Sequence, residues 1–187
     1  MAIEVELKAR VRDTESVLAH LKSRSDGRAS TYRDTYYDYP DRRLGNAGRQ
    51  ELRIRVIEED ERTHAVWTFK GAMLDEASTP EYETDIAEPE AAQAILSQLG
   101  LEPVIAYTKH CVNFVFDRES YHVKATVVNV PQLAGNFLEV ETLVEDEADV
   151  GGARQVISDV LAALNLHEPD LEPTFYVDMV ASQRASS

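Results

Sequence analysis

A single cysteine, Cys111, occurs in the 187 residues, so no disulfide can form within the chain. Positive charge is scarce as well: 19 Lys and Arg stand against 34 Asp and Glu, a formal net charge of -15. That balance argues against general affinity for nucleic acid or for an anionic membrane. No charge-free run approaches the roughly 20 residues that span a bilayer. Met1-Ala2-Ile3-Glu4 also lacks the basic and apolar regions of a signal peptide. The expectation is a cytoplasmic protein with no nucleic-acid and no membrane partner. Linkers, repeated units and low-complexity segments are missing too, apart from residues 182–187, which read as a frayed tail. Ordinary apolar content at this length predicts one domain over residues 1–187.

What the chain does have is strands that carry charge on one face. Ile3-Glu4-Val5-Glu6-Leu7-Lys8 alternates with period 2, placing Glu4, Glu6 and Lys8 on one side and Ile3, Val5 and Leu7 on the other. Same-face neighbours lie about 7 Å apart along a strand. Two carboxylates so placed repel unless a cation lies between them, and a hard divalent metal suits oxygen donors. Alone, this stretch reads best as an amphipathic strand with a solvated face. The pattern recurs, however. Residues 50–56 put Glu51, Arg53 and Arg55 on one face, and Glu81 with Glu83 and Glu139 with Glu141 repeat the alternation with acids. Lys70 and Lys109 stand near strand ends. Several such strands suggest a closed or strongly curved antiparallel sheet whose polar faces line a common lumen. Solvated outer faces would give the same alternation.

Helices are predicted between the strands, which makes the class α+β. Asp13 is a plausible N-cap for a short helix carrying Val17, Leu18 and Leu21. Residues 23–30 read as a loop and 31–38 as a strand closed by Pro40. The acidic run Glu58-Glu59-Asp60-Glu61 reads as a solvated hairpin tip, and residues 72–80 as a loop. Residues 88–99 form a helix with Ala91, Ala94, Ile95 and Leu99 on its buried stripe and Gly100 as its stop. Residues 104–116 and 120–130 make a long hairpin. Gly151-Gly152 precedes a helix buried through Val156, Val160, Leu161 and Leu164. A terminal helix is expected over 170–181, with Pro173 in its first turn. The five histidines are scattered, none at metal-ligand spacing, and His110 alternates away from Lys109. Tyr32, Tyr36 and Tyr37 suit packing, or stacking on a base or ribose.

Glu4-x-Glu6-x-Lys8 beside the N-terminus resembles the signature of the CYTH superfamily, which includes class IV adenylyl cyclases and thiamine-triphosphatase-like enzymes. Later motifs follow in the same order over most of the chain: Tyr32-x-Asp34 to Tyr37, Leu52-Arg53-Ile54-Arg55, Phe69-Lys70-Gly71, Glu81-x-Glu83, Lys109, and Phe137-Leu138-Glu139-Val140-Glu141. The resemblance implies a closed eight-stranded antiparallel β-barrel, a triphosphate tunnel with flanking helices. It implies Glu4, Glu6 and Lys8 as catalytic residues, and Lys8, Arg53, Arg55, Lys70 and Lys109 as the phosphate-binding set. Arginine forks suit phosphate oxygens bidentately, and lysine acts as a compact charge. Glu4, Glu6, Glu139 and Glu141, with Glu83 as a weaker candidate, would hold Mg²⁺ or Mn²⁺.

The implied substrate is a triphosphate-containing small molecule. With a ribose 3′-hydroxyl as nucleophile, ATP gives cyclic AMP and pyrophosphate; with water, the protein is a triphosphatase. A homodimer is among the assemblies that the resemblance implies. Three departures stand out. Lys109-His110-Cys111 replaces Lys-x-Arg, Asn129 stands where the family usually has a metal-binding aspartate, and Thr174-Phe175-Tyr176 replaces a Ser-Tyr pattern. A non-catalytic triphosphate-binding protein is the further reading that Cys111 and Asn129 favour.

Overall fold

The N-terminal strand, β1 (Ala2–Val11), closes the sheet in this computed structural model, which describes residues 2–186. The other strands are β2 (Arg28–Asp38), β3 (Glu51–Glu59), β4 (Arg62–Lys70), β5 (Ser78–Ile86), β6 (Glu102–Arg118), β7 (Tyr121–Asn129) and β8 (Asn136–Val144). Among the described residues, these eight form a closed antiparallel barrel in the order β1-β5-β4-β3-β2-β6-β7-β8. β1 pairs with β8 from Ile3↔Val144 to Val11↔Asn136, but with β5 only from Ala2↔Glu81 to Val5↔Ser78. Among the described residues, five α-helices flank it: α1 (Thr14–Lys22), α2 (Arg43–Asn46), α3 (Pro89–Gln98), α4 (Val150–Ala163) and α5 (Tyr176–Ala185).

Period-2 alternation sends the charged faces inward, so the main apolar core lies outside the barrel wall. Ile3, Val5, Ala9, Val123, Ala125, Leu138 and Val140 pack outward against Val17 and Leu21 of α1 and against Ala153, Val156, Ile157, Val160 and Leu161 of α4. Each Val, Leu or Ile among them, fully buried, contributes about 1.5–3 kcal/mol. Asp13 caps α1 by accepting the Ser16 N–H at 3.0 Å, as its position predicts. A smaller outer core joins Leu52 and Ile54 of β3 to Ala92 and Leu96 of α3. A third cluster fills one end of the lumen. There Tyr36, Tyr107, Cys111, Val128 and Phe137 meet Tyr176 and Val180 of α5.

Several local expectations are corrected. β2 begins at Arg28 and β5 at Ser78, so the barrel takes up residues read as loops, and β6 begins at Glu102, two residues before the predicted hairpin. Glu58 and Glu59 belong to β3; Glu58 is bonded to Arg33, and Glu59 lies 3.5 Å from Arg28. α3 buries Ala92 and Leu96, while Ile95 and Leu99 are exposed. The helix lies on a barrel wall whose convexity offers a narrow contact, and the bulkier apolar stripe is left outside. Gly100 does stop it: φ is +86°, and Leu101 N–H returns to Leu96 O at 3.0 Å. Gly151 and Gly152 fall inside the first turn of α4, and Leu164 follows its end. The terminal helix starts at Tyr176, beyond Pro173, and runs through residues 182–185 of the stretch read as frayed. Ser187 lies outside the described residues.

Candidate active site

Inward alternation gathers the predicted side chains around a cavity of about 480 Å³. Glu4, Glu6 and Lys8 come from β1, Arg53 and Arg55 from β3, Lys70 from β4, Glu83 from β5, Lys109 from β6, and Glu139 and Glu141 from β8. The register explains the grouping. Glu6 is opposite Glu141 and Lys8 opposite Glu139, while Arg53 is opposite Thr68, which is in turn opposite Glu83.

The acids divide into distinct environments. Carboxylate oxygens of Glu4, Glu6 and Glu141 lie within 4.8 Å of one another. Burial, and then the charges of Glu139 and Glu4, push the Glu6 carboxyl up to about 8. Burial raises Glu4 to about 7 against the pull of Lys70. Burial would raise Glu141 as well, but the Lys124 ammonium holds it below its ordinary value. Two carboxylates that resist ionisation beside a third that is ionised form an oxygen-only donor set of the kind a hard divalent cation neutralises. No histidine stands among the described residues lining this cavity. Glu139 is set apart by an ion pair with Lys109, Nζ to Oε1 3.0 Å. Burial alone would raise Glu139, but Lys109 brings it down to about 2. Glu83 accepts a hydrogen bond from Thr68 at 2.8 Å and is outside the close trio.

Each predicted cation has an internal partner. Lys70 pairs with Glu4 and stands 3.5 Å from Glu81. Lys8 donates to the Thr174 carbonyl, and its ammonium is 4.2 Å from the centre of the Tyr176 ring. Lys109 is 4.1 Å from the same ring, giving two cation–π contacts on one aromatic. Arg55 makes a fork with buried Asp34, and the Arg53 guanidinium lies 4.0 Å from that carboxylate. Arg53 also donates to Thr68 at 3.3 Å, but its Nε is buried with no hydrogen-bond partner among the described residues. A buried charged donor left open is an available contact for an anion.

The departures resolve differently. Cys111 does face inward, but within the apolar cluster, where burial pushes its thiol up to about 12. Asn129 corrects the expectation: it points away from the trio, donating to Asn136 Oδ1 at 2.9 Å and to Gly135 O at 3.4 Å. The inward positions of β7 are Lys124, Thr126 and Val128. Tyr176 packs edge-on against Phe137, centroids 5.2 Å apart, and fills that end of the lumen. Asp34, Glu81, Lys124 and Tyr107 also line or support the cavity and were not singled out as site residues in the sequence. Glu81 and Lys124 were accessible from alternation alone, each two residues from another inward side chain.

The CYTH domain model matches residues 2–176. The adenylate cyclase CyaB of Aeromonas hydrophila is 28% identical over 178 residues, covering 92% of this chain and 86% of that protein. The PH1819 protein of Pyrococcus horikoshii shares the fold with a TM-score of 0.81 at 24% identity, over 97% of this chain and 99% of its own. HpAC1 of Hippeastrum, described as having a dominant triphosphatase activity, superposes with a TM-score of 0.65 at 15% identity, over 100% and 97% of the two chains. Among the described residues, no helix is long and apolar enough to cross a membrane.

Proposed function

The chain belongs to the CYTH domain family, and from that premise we propose that it is a divalent-metal-dependent enzyme acting on a nucleoside triphosphate. The reaction is of the class IV adenylyl cyclase type, in which ATP yields cyclic AMP and pyrophosphate. The observation that carries this reading is one lumen in which the Glu4–Glu6–Glu141 trio faces a cation set that includes Arg53 with its open Nε. Arg53 and Arg55 bind phosphate oxygens through their planar forks, and Lys8, Lys70 and Lys109 neutralise the rest of the chain. Glu4, Glu6 and Glu141 hold Mg²⁺ or Mn²⁺, which would supply charge neutralisation and polarise the phosphate. Asp34 and Glu139 orient Arg55 and Lys109, and act on the substrate only through them.

A second reading is hydrolysis of tripolyphosphate or an organic triphosphate. Tyr176 and Phe137 fill one end of the lumen, leaving less room for a base and ribose than for a phosphate chain. The similarity to CyaB favours the cyclase. Incubating the protein with Mg²⁺ or Mn²⁺ and either ATP or tripolyphosphate, and resolving the products, separates the two. Cyclic AMP with pyrophosphate is the expected result. Orthophosphate as the sole product would replace it with the triphosphatase, and no product from either substrate would leave a binding protein.

A further inference from the structure

Lys124 is an inward lysine outside the predicted phosphate-binding set. It lies opposite Glu141 in the β7–β8 register and lines the cavity. Its Nζ is 2.9 Å from Glu141 Oε1, and about a third of the side chain is exposed (34%). Glu141 is a member of the close acid trio, so this ammonium and a divalent cation would draw on the same carboxylate. β6, meanwhile, supplies one cation to the lumen. After Lys109, its next inward residues are Cys111, enclosed in the apolar cluster, and Asn113, which is committed to Tyr32, Ser30 and Thr126.

We propose that Lys124 is a phosphate-binding residue of this lumen, supplying from β7 the cation that β6 lacks, and that it exchanges Glu141 for a phosphate when the divalent cation binds. This rests on the triphosphate reading above. The exchange conserves charge. As the cation takes over the Glu141 carboxylate, the ammonium loses its counter-ion, and the anion arriving with the metal replaces it. Lysine suits that exchange because a compact charge on a flexible four-carbon stem can move between two oxygens without repacking. An ammonium that served only to hold Glu141 would have no effect on phosphate affinity once the metal was bound.

The test uses imidotriphosphate, whose P–N–P bridges resist hydrolysis, titrated calorimetrically into the full chain at saturating Mn²⁺. Lys124→Met is expected to weaken its binding about tenfold or more, the worth of one charge-assisted hydrogen bond, while Lys124→Arg stays within about threefold of wild type. Mn²⁺ alone, followed by its electron paramagnetic resonance signal, should bind Lys124→Met at least as tightly as wild type, because Glu141 is freed. Lys124→Gln provides the same comparison if the methionine variant does not fold. Unchanged imidotriphosphate affinity in a variant that binds Mn²⁺ normally would overturn this inference and leave the triphosphate reading standing. Loss of Mn²⁺ binding would also overturn it, making Lys124 a positioner of Glu141. A wild type that binds no imidotriphosphate would remove both.

Discussion

Asp34 and Arg55 face each other across β2 and β3 and are joined by two near-parallel hydrogen bonds, Nε to Oδ1 at 2.7 Å and Nη2 to Oδ2 at 2.8 Å. Asp34 is 1% exposed, so the pair is screened from water. Burial would raise the Asp34 carboxyl, but the Arg55 guanidinium, with Arg53 behind it, holds it well below the usual carboxylate range. The fork fixes the guanidinium plane while leaving donors of Arg55 for other acceptors.

Asp34→Asn removes the charge and one acceptor while keeping the shape. Breaking one side of a buried pair costs about 3 kcal/mol or more. At this chain length that lowers the thermal midpoint by about 6–12 °C. Calorimetry of the two proteins checks it; a midpoint within about 2 °C of wild type would mean that the pair contributes little net stability. A rise in KM with kcat retained would identify Asp34 as a positioner of Arg55.

The stability of the metal-free protein should respond to pH through Glu6 and Glu139 with opposite signs. Glu6, raised to about 8 from 4.5, is protonated in the folded state where the unfolded chain has released its proton. Folded protein therefore binds more protons between about 4.5 and 8, and stability falls as pH rises through that window. Glu139, lowered to about 2, contributes stability that is present above 4.5 and lost as pH falls towards 2. Glu6→Gln removes the Glu6 share of the first effect and leaves that of Glu4, which burial raises to about 7. Denaturant titrations without metal should show the variant level with wild type at pH 4 and more stable than it at pH 8. Added Mn²⁺ should reverse the order at pH 8, since wild type gains more from binding it. A variant less stable than wild type at both pH values would contradict the raised Glu6 carboxyl.

The lumen was legible in the sequence to the extent that period 2 survives within a strand. Glu4-x-Glu6-x-Lys8 and Arg53-x-Arg55 face inward because nothing interrupts the alternation between them. Asn129 was matched by resemblance to a family position near the end of β7, which does not say which face the side chain takes; alternation from Lys124, Thr126 and Val128 sends it outward. α3 carries two apolar stripes, Ala91-Ala94-Ile95 and Ala92-Leu96, and periodicity cannot say which one a curved wall will cover. Asp34 lay inside a quoted motif, yet its role depends on the β2–β3 pairing, which the linear sequence does not contain.

Cys111 and Asn129, alike as departures from the family pattern, should behave differently when reverted. Asn129 is on the outer face, bonded to Asn136 and Gly135, and faces none of the trio. Asn129→Asp should leave Mn²⁺ affinity and turnover within about twofold of wild type, the change typical of an exposed position outside a site. Cys111 is 3% exposed and packed with Val128, Phe137 and Tyr176. An arginine there would crowd the end of the lumen that Tyr176 already fills, and would carry a charge into an apolar cluster that offers no carboxylate of its own. Cys111→Arg is therefore expected to lose about 3 kcal/mol or more of stability. It should also displace the first turn of α5, whose Tyr176 ring contacts both Lys8 and Lys109. Thermal melts and product assays of the two single variants decide the matter. If Cys111→Arg instead folds with a wild-type midpoint and turns over faster, the thiol marks a lost phosphate contact, and α5 is free to yield that end of the lumen to substrate.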